Sequence, residues 1–228
     1  MGSYVRSLYF WNNLKKLPVH QFKTVLDAGC GTGEYAKKLA VKYPHLMIKA
    51  YDIKEYDTWN NQLENVIFKR KNLLHLEENN YFDFCYSIDV LEHILGNYSV
   101  LLNFYRALKP GGYLFLHVPN KLQIRILSKK YFIEHKEWGK KEHIGELYSF
   151  RELKRVLISV GFKIVSSHET FGFWGRLAWE IDIIFHKNTL LAIFLMPVLK
   201  IIACLELLGS NIEKGNGILV LAVKDYGN

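Results

Sequence analysis

Cysteine is scarce in this sequence, with three residues among 228: Cys30, Cys85 and Cys204. Because they are far apart and odd in number, neither a disulfide framework nor a cysteine-based zinc site is expected. The N-terminus also lacks the apolar run and cleavage site of a secretory signal. Both observations fit a reducing compartment, so we expect a cytoplasmic protein.

Internal repeats and low-complexity linkers are also absent from the sequence, which favours one domain over residues 1–228. Half of the residues are hydrophobic, enough to bury a substantial core. The formal net charge of +8 favours an acidic partner, such as nucleic acid, an anionic membrane surface or a phosphate- or carboxylate-bearing substrate. It is equally compatible with a basic surface that only aids solubility.

Short apolar runs alternate with amphipathic segments from Thr24 onward. The runs predict strands at 25–28, 47–51, 66–69, 82–87, 113–118, 162–166 and 218–223. Helices are predicted at 35–42, 99–108 and 150–160. This alternation is typical of an α/β fold with a parallel sheet.

Two predicted helical segments lie outside the alternation: an N-terminal helix at 5–17 and an apolar insertion at about 170–209. Residues 190–199 have no polar side chain, but Pro197 lies among them and Lys200 follows. The insertion is therefore compatible with a buried helix pair, a monotopic membrane element or the wall of an apolar acceptor pocket.

A glycine-rich loop follows the first predicted strand and leads into a helix, with the pattern Asp27-x-Gly29-x-Gly31-x-Gly33. Glycine allows a tight turn and the close approach of a ligand to the backbone, so this placement favours a nucleotide-like cofactor. Counted from Gly31, the loop also meets a loose dinucleotide pattern that ends at Ala36, and a dinucleotide therefore stays open. Asp52, at the end of the second strand, is placed either to bind a ribose or to form an ordinary turn.

Further motifs follow in order: Phe82-Asp83, residues 87–94 and Leu108-Lys109-Pro110-Gly111-Gly112 before the fifth strand. Together with residues 25–33 and Tyr51-Asp52, this ordered set resembles the class I S-adenosylmethionine-dependent methyltransferases, especially the methyltransferase type 11 group. The resemblance covers about residues 22–166 and the last strand. It implies a Rossmann-like, seven-stranded, mostly parallel sheet with an antiparallel last strand and helices on both faces, and S-adenosylmethionine as cofactor.

The resemblance also implies a set of cofactor-binding residues. The methionine portion would be held by Asp27, Gly29, Gly31 and Gly33, and the ribose by Asp52. Adenine would lie at Asn72, where many relatives have aspartate, and at Leu73. Ser87 and Ile88 would lie near the sulfonium. The turn 110–112 would end a helix and begin the fifth strand.

Two histidines are predicted to be catalytic, because histidine is the usual general base for a hydroxyl acceptor near neutral pH. His93 lies just beyond the fourth strand, at the edge where α/β sheets bind ligands, although it could instead orient the loop. His143 lies in the approach to the helix at 150–160, although it could be a surface residue. His135 is a third candidate, in a charged loop.

The segment after the fourth strand lacks both a typical metal-binding cluster and the sequence element of methyltransferases that act on nucleic-acid bases. Asp89 and Glu92 have no spacing typical of a dedicated cage, so no metal is predicted. Residues 87–90 read Ser-Ile-Asp-Val instead of the Asn/Asp-Pro-Pro-Tyr/Phe element that methylates exocyclic base amines. With no appended RNA-binding module, nucleic acid is an unexpected partner. An RNA methyltransferase stays an alternative, as does a non-catalytic, cofactor-binding partner subunit.

Basic residues cluster after the fifth strand, beside the expected acceptor entrance, although acidic neighbours make a solvated loop an alternative. Together with the apolar insertion, this cluster favours a small-molecule or lipid-linked acceptor with an acidic or phosphate group, such as a quinone precursor or a polyprenyl-linked sugar. We expect O-methylation with a histidine base, and peripheral membrane contact is compatible with the sequence. The cluster comprises Lys121, Arg125, Lys129, Lys130, Lys136, Lys140 and Lys141.

Overall fold

A computed structural model describes residues 1–60, 63–185, 188–208 and 214–226. Its centre is a sheet of seven strands in the order β3-β2-β1-β4-β5-β7-β6. Neighbours from β3 to β5 are parallel, and β7 is antiparallel to both β5 and β6. The strands are β1 (Thr24–Ala28), β2 (Met47–Asp52), β3 (Val66–Arg70), β4 (Phe82–Ile88), β5 (Leu108–Pro119), β6 (Phe162–Thr170) and β7 (Gly217–Lys224).

Seven α-helices accompany the sheet in the described residues, and separate apolar clusters cover its two faces. This architecture confirms the predicted Rossmann-like fold with an antiparallel last strand. The helices are α1 (Gly2–Leu14), α2 (Glu34–Lys42), α3 (Asn97–Ala107), α4 (Ile133–Glu142), α5 (Phe150–Val160), α6 (Phe173–Phe185) and α7 (Thr189–Cys204).

The N-terminal helix α1 begins and ends three residues earlier than predicted, and it packs on one face of the sheet. Phe10 is fully buried there, with its ring centroid 5.1 Å from that of Tyr35, 4.9 Å from Tyr86 and 5.3 Å from Phe115. Burial of aromatic surface is the main stabilising contribution at this contact. The helix is therefore part of the core.

The turn at 110–112 differs from the prediction. The strand β5 begins at Leu108, and the turn that was expected to precede the strand lies within it. Leu108 pairs with Phe82, and an irregular register between Phe82 and Phe84 accommodates the extra residues. A bulge of this kind lets a proline and a left-handed glycine, Gly111 with φ 77°, occur inside a strand.

Helix α4 occupies residues that were predicted to form a charged loop. The prediction was wrong because it relied on apolar periodicity, and α4 presents little apolar surface to the core. The side chains of His135, Lys136 and Lys140 lie outside the described part of the structure, so their expected roles stay predictions.

The predicted apolar insertion consists of α6 and α7, which pack against each other. The carboxylate of Glu206, just after α7, accepts hydrogen bonds from the Tyr9 hydroxyl and from the backbone N–H groups of Gly172 and Gly175. These bonds join the insertion to α1 and to the end of β6. Residue 209, at the predicted end of the insertion, lies outside the described residues.

Candidate cofactor and acceptor site

The site lies where β1 and β4 end side by side. On one side of this point the sheet continues with β2 and β3, and on the other side it continues with β5, so the order of the strands reverses here. In open α/β sheets such a reversal leaves a crevice beyond the carboxyl ends of the strands. The glycine loop follows β1 here, and the segment containing Asp89 and His93 follows β4.

The glycine loop needs its glycines for two different reasons. Gly29 has φ 82°, and a Cβ there would lie 2.3 Å from Cγ2 of Val90, so the residue permits close contact with the segment after β4. Gly31 has φ 51°, but a Cβ there would meet no atom within 4 Å. The side of Gly31 is open space, beside a cavity of about 180 Å³.

Asp27 lines this smaller cavity and is 4% exposed. Its Oδ2 atom has no hydrogen-bond partner among the described residues. Burial, assisted by the charge of Asp52, raises the pKa of Asp27 to about 7. A buried carboxylate oxygen without a partner is costly, and an ammonium group of a ligand would satisfy it.

The other predicted cofactor residues fall into two groups. Gly29, Gly31 and Ile88 line the smaller cavity with Asp27, whereas Gly33, Asp52, Asn72, Leu73 and Ser87 do not. The Gly31 N–H donates to Oδ2 of Asp52 at 2.8 Å, and the Leu74 N–H donates to Oδ1 of Asn72 at 3.0 Å. Leu73 is buried. Ser87 is fully buried, and its hydroxyl has no partner in the described part of the chain.

A larger cavity of about 380 Å³ adjoins the first. Its walls come from α1, the segment after β4, the ends of β5 and β7, and helices α4 and α6. Ser3 and Arg6 on α1 line both cavities. The two spaces therefore share a wall, and groups bound in them would be neighbours.

A chain of polar contacts crosses the floor of the larger cavity. Asp89 has the unusual φ of 52° and interacts with Arg6 through Oδ2 and with His117 through Oδ1. On its other side, Nε2 of His117 lies 2.8 Å from Oγ1 of Thr170. Burial alone would raise the pKa of Asp89, but the charges of Arg6 and His117 outweigh it and hold the pKa below its ordinary value.

The structure brings His93 and His143 together although 49 residues separate them. Their ring centroids are 5.1 Å apart. The Nδ1–H of His93 donates to the Glu142 carbonyl at 2.9 Å, which leaves Nε2 as the acceptor nitrogen in the neutral ring, 3.9 Å from Oε1 of Glu92. Burial and the nearby His93 lower the pKa of His143.

Glu92 and Asp89 have different surroundings, although both line the larger cavity. Asp89 faces Arg6 and His117, while Glu92 lies with the two histidines and is 2% exposed. Burial raises the pKa of Glu92 well above its ordinary value. The expectation that no metal binds at this edge was drawn from Asp89 and Glu92 as a pair, whereas the structure places Glu92 with His93 and His143.

Residues 6–167 match the profile of a family described as a methyltransferase domain, which is more than half of the chain. The chain belongs to the class I S-adenosylmethionine-dependent methyltransferases. S-adenosylmethionine is the cofactor of this family, and the residues present fit it. The buried, unpartnered oxygen of Asp27 and the open side of Gly31 form a cradle in which an amino-acid moiety would find a charge partner and room.

Similarity to individual methyltransferases is moderate. A trans-aconitate 2-methyltransferase of Deinococcus radiodurans is 29% identical over 106 residues, which are 45% of this chain and 40% of the relative. A structure of phosphoethanolamine N-methyltransferase 2 of Haemonchus contortus, with phosphomonomethylethanolamine and S-adenosylhomocysteine, has a TM-score of 0.63 at 22% identity, covering 89% of this chain and 49% of that one. A putative methyltransferase of Listeria monocytogenes has a TM-score of 0.59 at 18% identity, covering 94% and 97%.

Two residues of this methyltransferase site, Arg6 and His117, were missed in the sequence. Arg6 lies on α1, outside the motifs, and nothing in the sequence indicates that it contacts Asp89, which lies 83 residues later. His117 was detectable, because it is the polar residue within the apolar run 113–118. Arg125 was placed among the basic residues beside the expected acceptor entrance, and it lines the larger cavity.

The rest of the basic cluster is less involved. Lys129, Lys130 and Lys141 are exposed, and Lys121 lies 3.6 Å from the carboxylate of Glu152. None of these four lines the larger cavity. Among the members of the cluster whose side chains the structure describes, Arg125 is therefore the one that lines the cavity.

Proposed function

We propose that this protein transfers the methyl group of S-adenosylmethionine to a small acceptor bound in the 380 Å³ cavity. The observation that carries the proposal is that Ser3 and Arg6 line both this cavity and the one beside the glycine loop. When bound, S-adenosylmethionine supplies an electrophilic methyl carbon. We also propose that residues 1–228 act as one domain, with the α6–α7 hairpin as an insertion.

In this proposal the protein binds the cofactor through groups that accept hydrogen bonds or leave space. Asp27 accepts from the ammonium group, and Gly29, Gly31 and Gly33 keep the loop clear of side chains. The ribose is held by Asp52. The adenine lies against Leu73 with Asn72 as an acceptor, and Ser87 and Ile88 line the region near the sulfur.

The polar chain through Asp89 positions the acceptor. Arg6 and His117 hold the Asp89 carboxylate from two sides, so the backbone after β4 has little freedom to move. Alignment of the acceptor atom with the methyl carbon is the main contribution that a protein makes to this reaction. Arg6 and His117 are therefore positioning residues.

We propose that the acceptor atom is an oxygen and that a histidine takes up its proton when no metal ion is bound at the site. His93 and His143 both line the cavity. The bond from Nδ1–H of His93 to the Glu142 carbonyl orients the imidazole and leaves its other nitrogen able to accept a proton.

An anionic acceptor is supported by Arg125. Its guanidinium lies 4.8 Å from the Trp179 ring and 5.2 Å from the Phe132 ring, and Nη1 has no hydrogen-bond partner within the described residues. Burial lowers the pKa of Arg125, yet an arginine stays charged in proteins. A carboxylate or phosphate group of the acceptor would pair with it. A relative named for trans-aconitate, itself a carboxylate, agrees with this assignment.

A lipid-linked acceptor is supported by α7. Residues Leu190–Leu207 are long and apolar enough to cross a membrane by length and composition, and 17% of this segment is buried. Phe194 is 77% exposed and Ile201 is 67% exposed. Such a surface is unfavourable in water, and the net charge of +8 would attract an anionic bilayer. We propose that α7 lies on the membrane surface, next to α6 and its cavity-lining Trp179, and that the protein is cytoplasmic and peripheral.

Transfer from methyl-labelled S-adenosylmethionine to a panel of phenols, organic acids, quinone precursors and polyprenyl-linked sugars tests the proposal. We expect labelled product from an anionic member of the panel, and none with Asp27→Asn. Asp57→Asn, at an exposed aspartate, is the matched control and should retain activity. Tight cofactor binding without any methylated product would instead favour a non-catalytic partner subunit, and salt-dependent binding and methylation of RNA would favour the RNA alternative.

A further inference from the structure

Glu92, His93 and His143 form a compact group on the wall of the larger cavity, which we call the Glu92 cluster. Each side chain offers one atom that can bind a metal ion, and these three atoms lie within 4.8 Å of one another. All three residues line the cavity. A ligand held by the cluster would therefore face the space assigned to the acceptor.

We infer that the Glu92 cluster binds a divalent transition-metal ion. Two imidazole nitrogens and one carboxylate oxygen are a ligand set of zinc enzymes and of several iron enzymes. Magnesium and calcium prefer oxygen ligands, so the two histidines select against them. Three protein ligands also leave coordination positions open, which is the arrangement of catalytic sites.

The protein already fixes the orientation that a metal ligand needs at His93. Its Nδ1–H donates to the Glu142 carbonyl, so the lone pair of the neutral ring is on Nε2, the atom that lies 3.9 Å from Oε1 of Glu92. Metal-binding histidines usually have this second hydrogen bond from the other ring nitrogen. The imidazole is therefore prepared to bind through Nε2.

The surroundings of Glu92, like the orientation of His93, indicate that a cation binds at the cluster. It is 2% exposed, and its Oε2 atom has no hydrogen-bond partner in the part of the chain that the structure describes. A buried carboxylate oxygen is normally paired or bound to a metal. No lysine or arginine forms an ion pair with Glu92 among the described contacts, whereas Asp89 three residues earlier is paired with Arg6. A cation at the cluster would satisfy the unpaired oxygen.

The scaffold that brings His143 to Glu92 is rigid. The Gly145 N–H donates to the Glu92 carbonyl at 2.9 Å. A Cβ at Gly145 would lie 2.5 Å from the carbonyl oxygens of Leu91 and Ile94, so only glycine permits this approach. The buried Asn97 amide also bridges the two segments, donating to Leu91 O at 3.0 Å and to Glu146 O at 2.9 Å.

Binding requires a small closure of the cluster. With ligand bonds of about 2 Å, ligand atoms lie about 3 to 4 Å apart. The observed separations of up to 4.8 Å therefore call for a movement of about 1 Å in at least one side chain. His143 is partly exposed, on the segment between α4 and α5, so we assign this movement to its side chain.

The role of the ion, though not its binding, rests on the proposed function. A hydroxyl group of the acceptor that lies against the ion loses its proton to water more readily. The new oxygen–carbon bond then forms as the sulfur–carbon bond of S-adenosylmethionine breaks and its electron pair stays on sulfur. In the metal-bound protein both imidazoles are ligands, and the ion replaces the histidine base of the metal-free protein.

Titration calorimetry of the full chain, stripped with a chelator, with ZnCl₂, CoCl₂ and MgCl₂ tests the inference. We expect one Zn²⁺ per chain, visible absorption bands from bound Co²⁺, and at least 100-fold weaker binding of Mg²⁺. Glu92→Gln and His143→Asn should each weaken Zn²⁺ binding at least 100-fold. His20→Asn, at an exposed histidine away from the cavity, should bind Zn²⁺ like the wild type.

Thermal unfolding of the metal-free variants separates loss of the site from loss of the fold. Glutamine has the shape of glutamate, and His143 is partly exposed, so at least one of the two variants should melt as the metal-free wild type does. If Glu92→Gln does not fold, His143→Asn decides. The inference is overturned if neither Zn²⁺ nor Co²⁺ binds saturably, or if the folded variants bind Zn²⁺ as tightly as the wild type.

Methyl transfer in the presence and absence of the chelator distinguishes the two proposals. Activity that persists without Zn²⁺ binding leaves the proposed function in place and removes the metal. Site-specific Zn²⁺ binding without any methylated acceptor supports the metal site and contradicts the proposed function. Zn²⁺ binding together with chelator-sensitive transfer supports both.

Discussion

Asp27 makes a quantitative prediction possible, because its carboxyl group is buried and lacks a partner at Oδ2 in the described structure. Its pKa is raised from 3.8 to about 7 in the cofactor-free protein. A difference of that size corresponds to about 4 kcal/mol between the neutral and ionised forms. The folded, cofactor-free protein therefore carries an unfavourable charge above pH 7.

The sign of the effect on stability follows from proton binding. Between about pH 4 and pH 7 the Asp27 carboxyl of the folded chain is protonated, whereas that of the unfolded chain is ionised. The unfolded chain binds fewer protons, so the free energy of unfolding falls as the pH rises through this interval and levels off above it. Asp27→Asn removes the ionisation and should flatten this part of the profile.

Denaturant unfolding at pH 5, 6, 7 and 8 measures the effect. Relative to wild type at the same pH, the gain in unfolding free energy from Asp27→Asn should grow by about 2–3 kcal/mol from pH 5 to pH 8, because the rest of the about 4 kcal/mol is lost mostly below pH 5. The exposed control Asp57→Asn should follow the wild-type profile. Parallel profiles for wild type and Asp27→Asn would refute the reasoning. S-adenosylmethionine should also release a proton on binding below pH 7, which calorimetry in buffers of different ionisation enthalpy detects.

Three further predictions concern the loop, the acceptor and the membrane. Gly29→Ala places a Cβ 2.3 Å from Val90 at a positive φ, and it should lower the unfolding free energy measured with denaturant by about 1–3 kcal/mol. Gly31→Ala has open space for its Cβ, so this variant should fold yet bind S-adenosylmethionine more weakly in calorimetry. Arg125→Met should raise KM for an anionic acceptor about 10- to 100-fold with little change in kcat, in steady-state assays; an unchanged KM would contradict the anionic assignment. Phe194→Glu should abolish co-sedimentation with anionic liposomes, and equal sedimentation of variant and wild type would exclude the membrane contact through α7.

Local sequence signals were sufficient for most of the strands and helices, and the family resemblance supplied the antiparallel last strand. The loop from Asp27 to Gly33 has its strand, its glycines and its helix within about a dozen residues, and each element can be detected from its own sequence. The helix Phe150–Val160 was predicted with its exact bounds, with Gly161 as the signal that ends it, and Gly161 has the left-handed conformation of such a stop. The structure adds a capping box from Ser149 and Glu152 at the start of the helix.

Contacts between distant segments could not be predicted in the same way. Glu92 and His143 meet because Gly145 and Asn97 hold two loops together, and neither residue is distinctive in the sequence. The separate surroundings of Asp89 and Glu92 likewise depend on Arg6, 83 residues before Asp89. From their spacing in the sequence, Asp89 and Glu92 were considered together as one pair of carboxylates. In the fold they have different partners, Arg6 and His117 for Asp89 and the two histidines for Glu92.

The residues of the family match and the residues that line the larger cavity overlap only in part. The match spans residues 6–167 and includes the glycine loop, Asp52 and the segment after β4. The larger cavity is lined in addition by residues outside that range, among them Ser3, Phe171, Trp179 and Gly217. The match therefore includes the glycine loop proposed to hold the cofactor and most of the wall of the larger cavity, and segments outside the match complete that wall. The acceptor should therefore be sought from the chemistry of Arg125, the Glu92 cluster and the apolar hairpin, with the name of a relative as support for the anionic assignment.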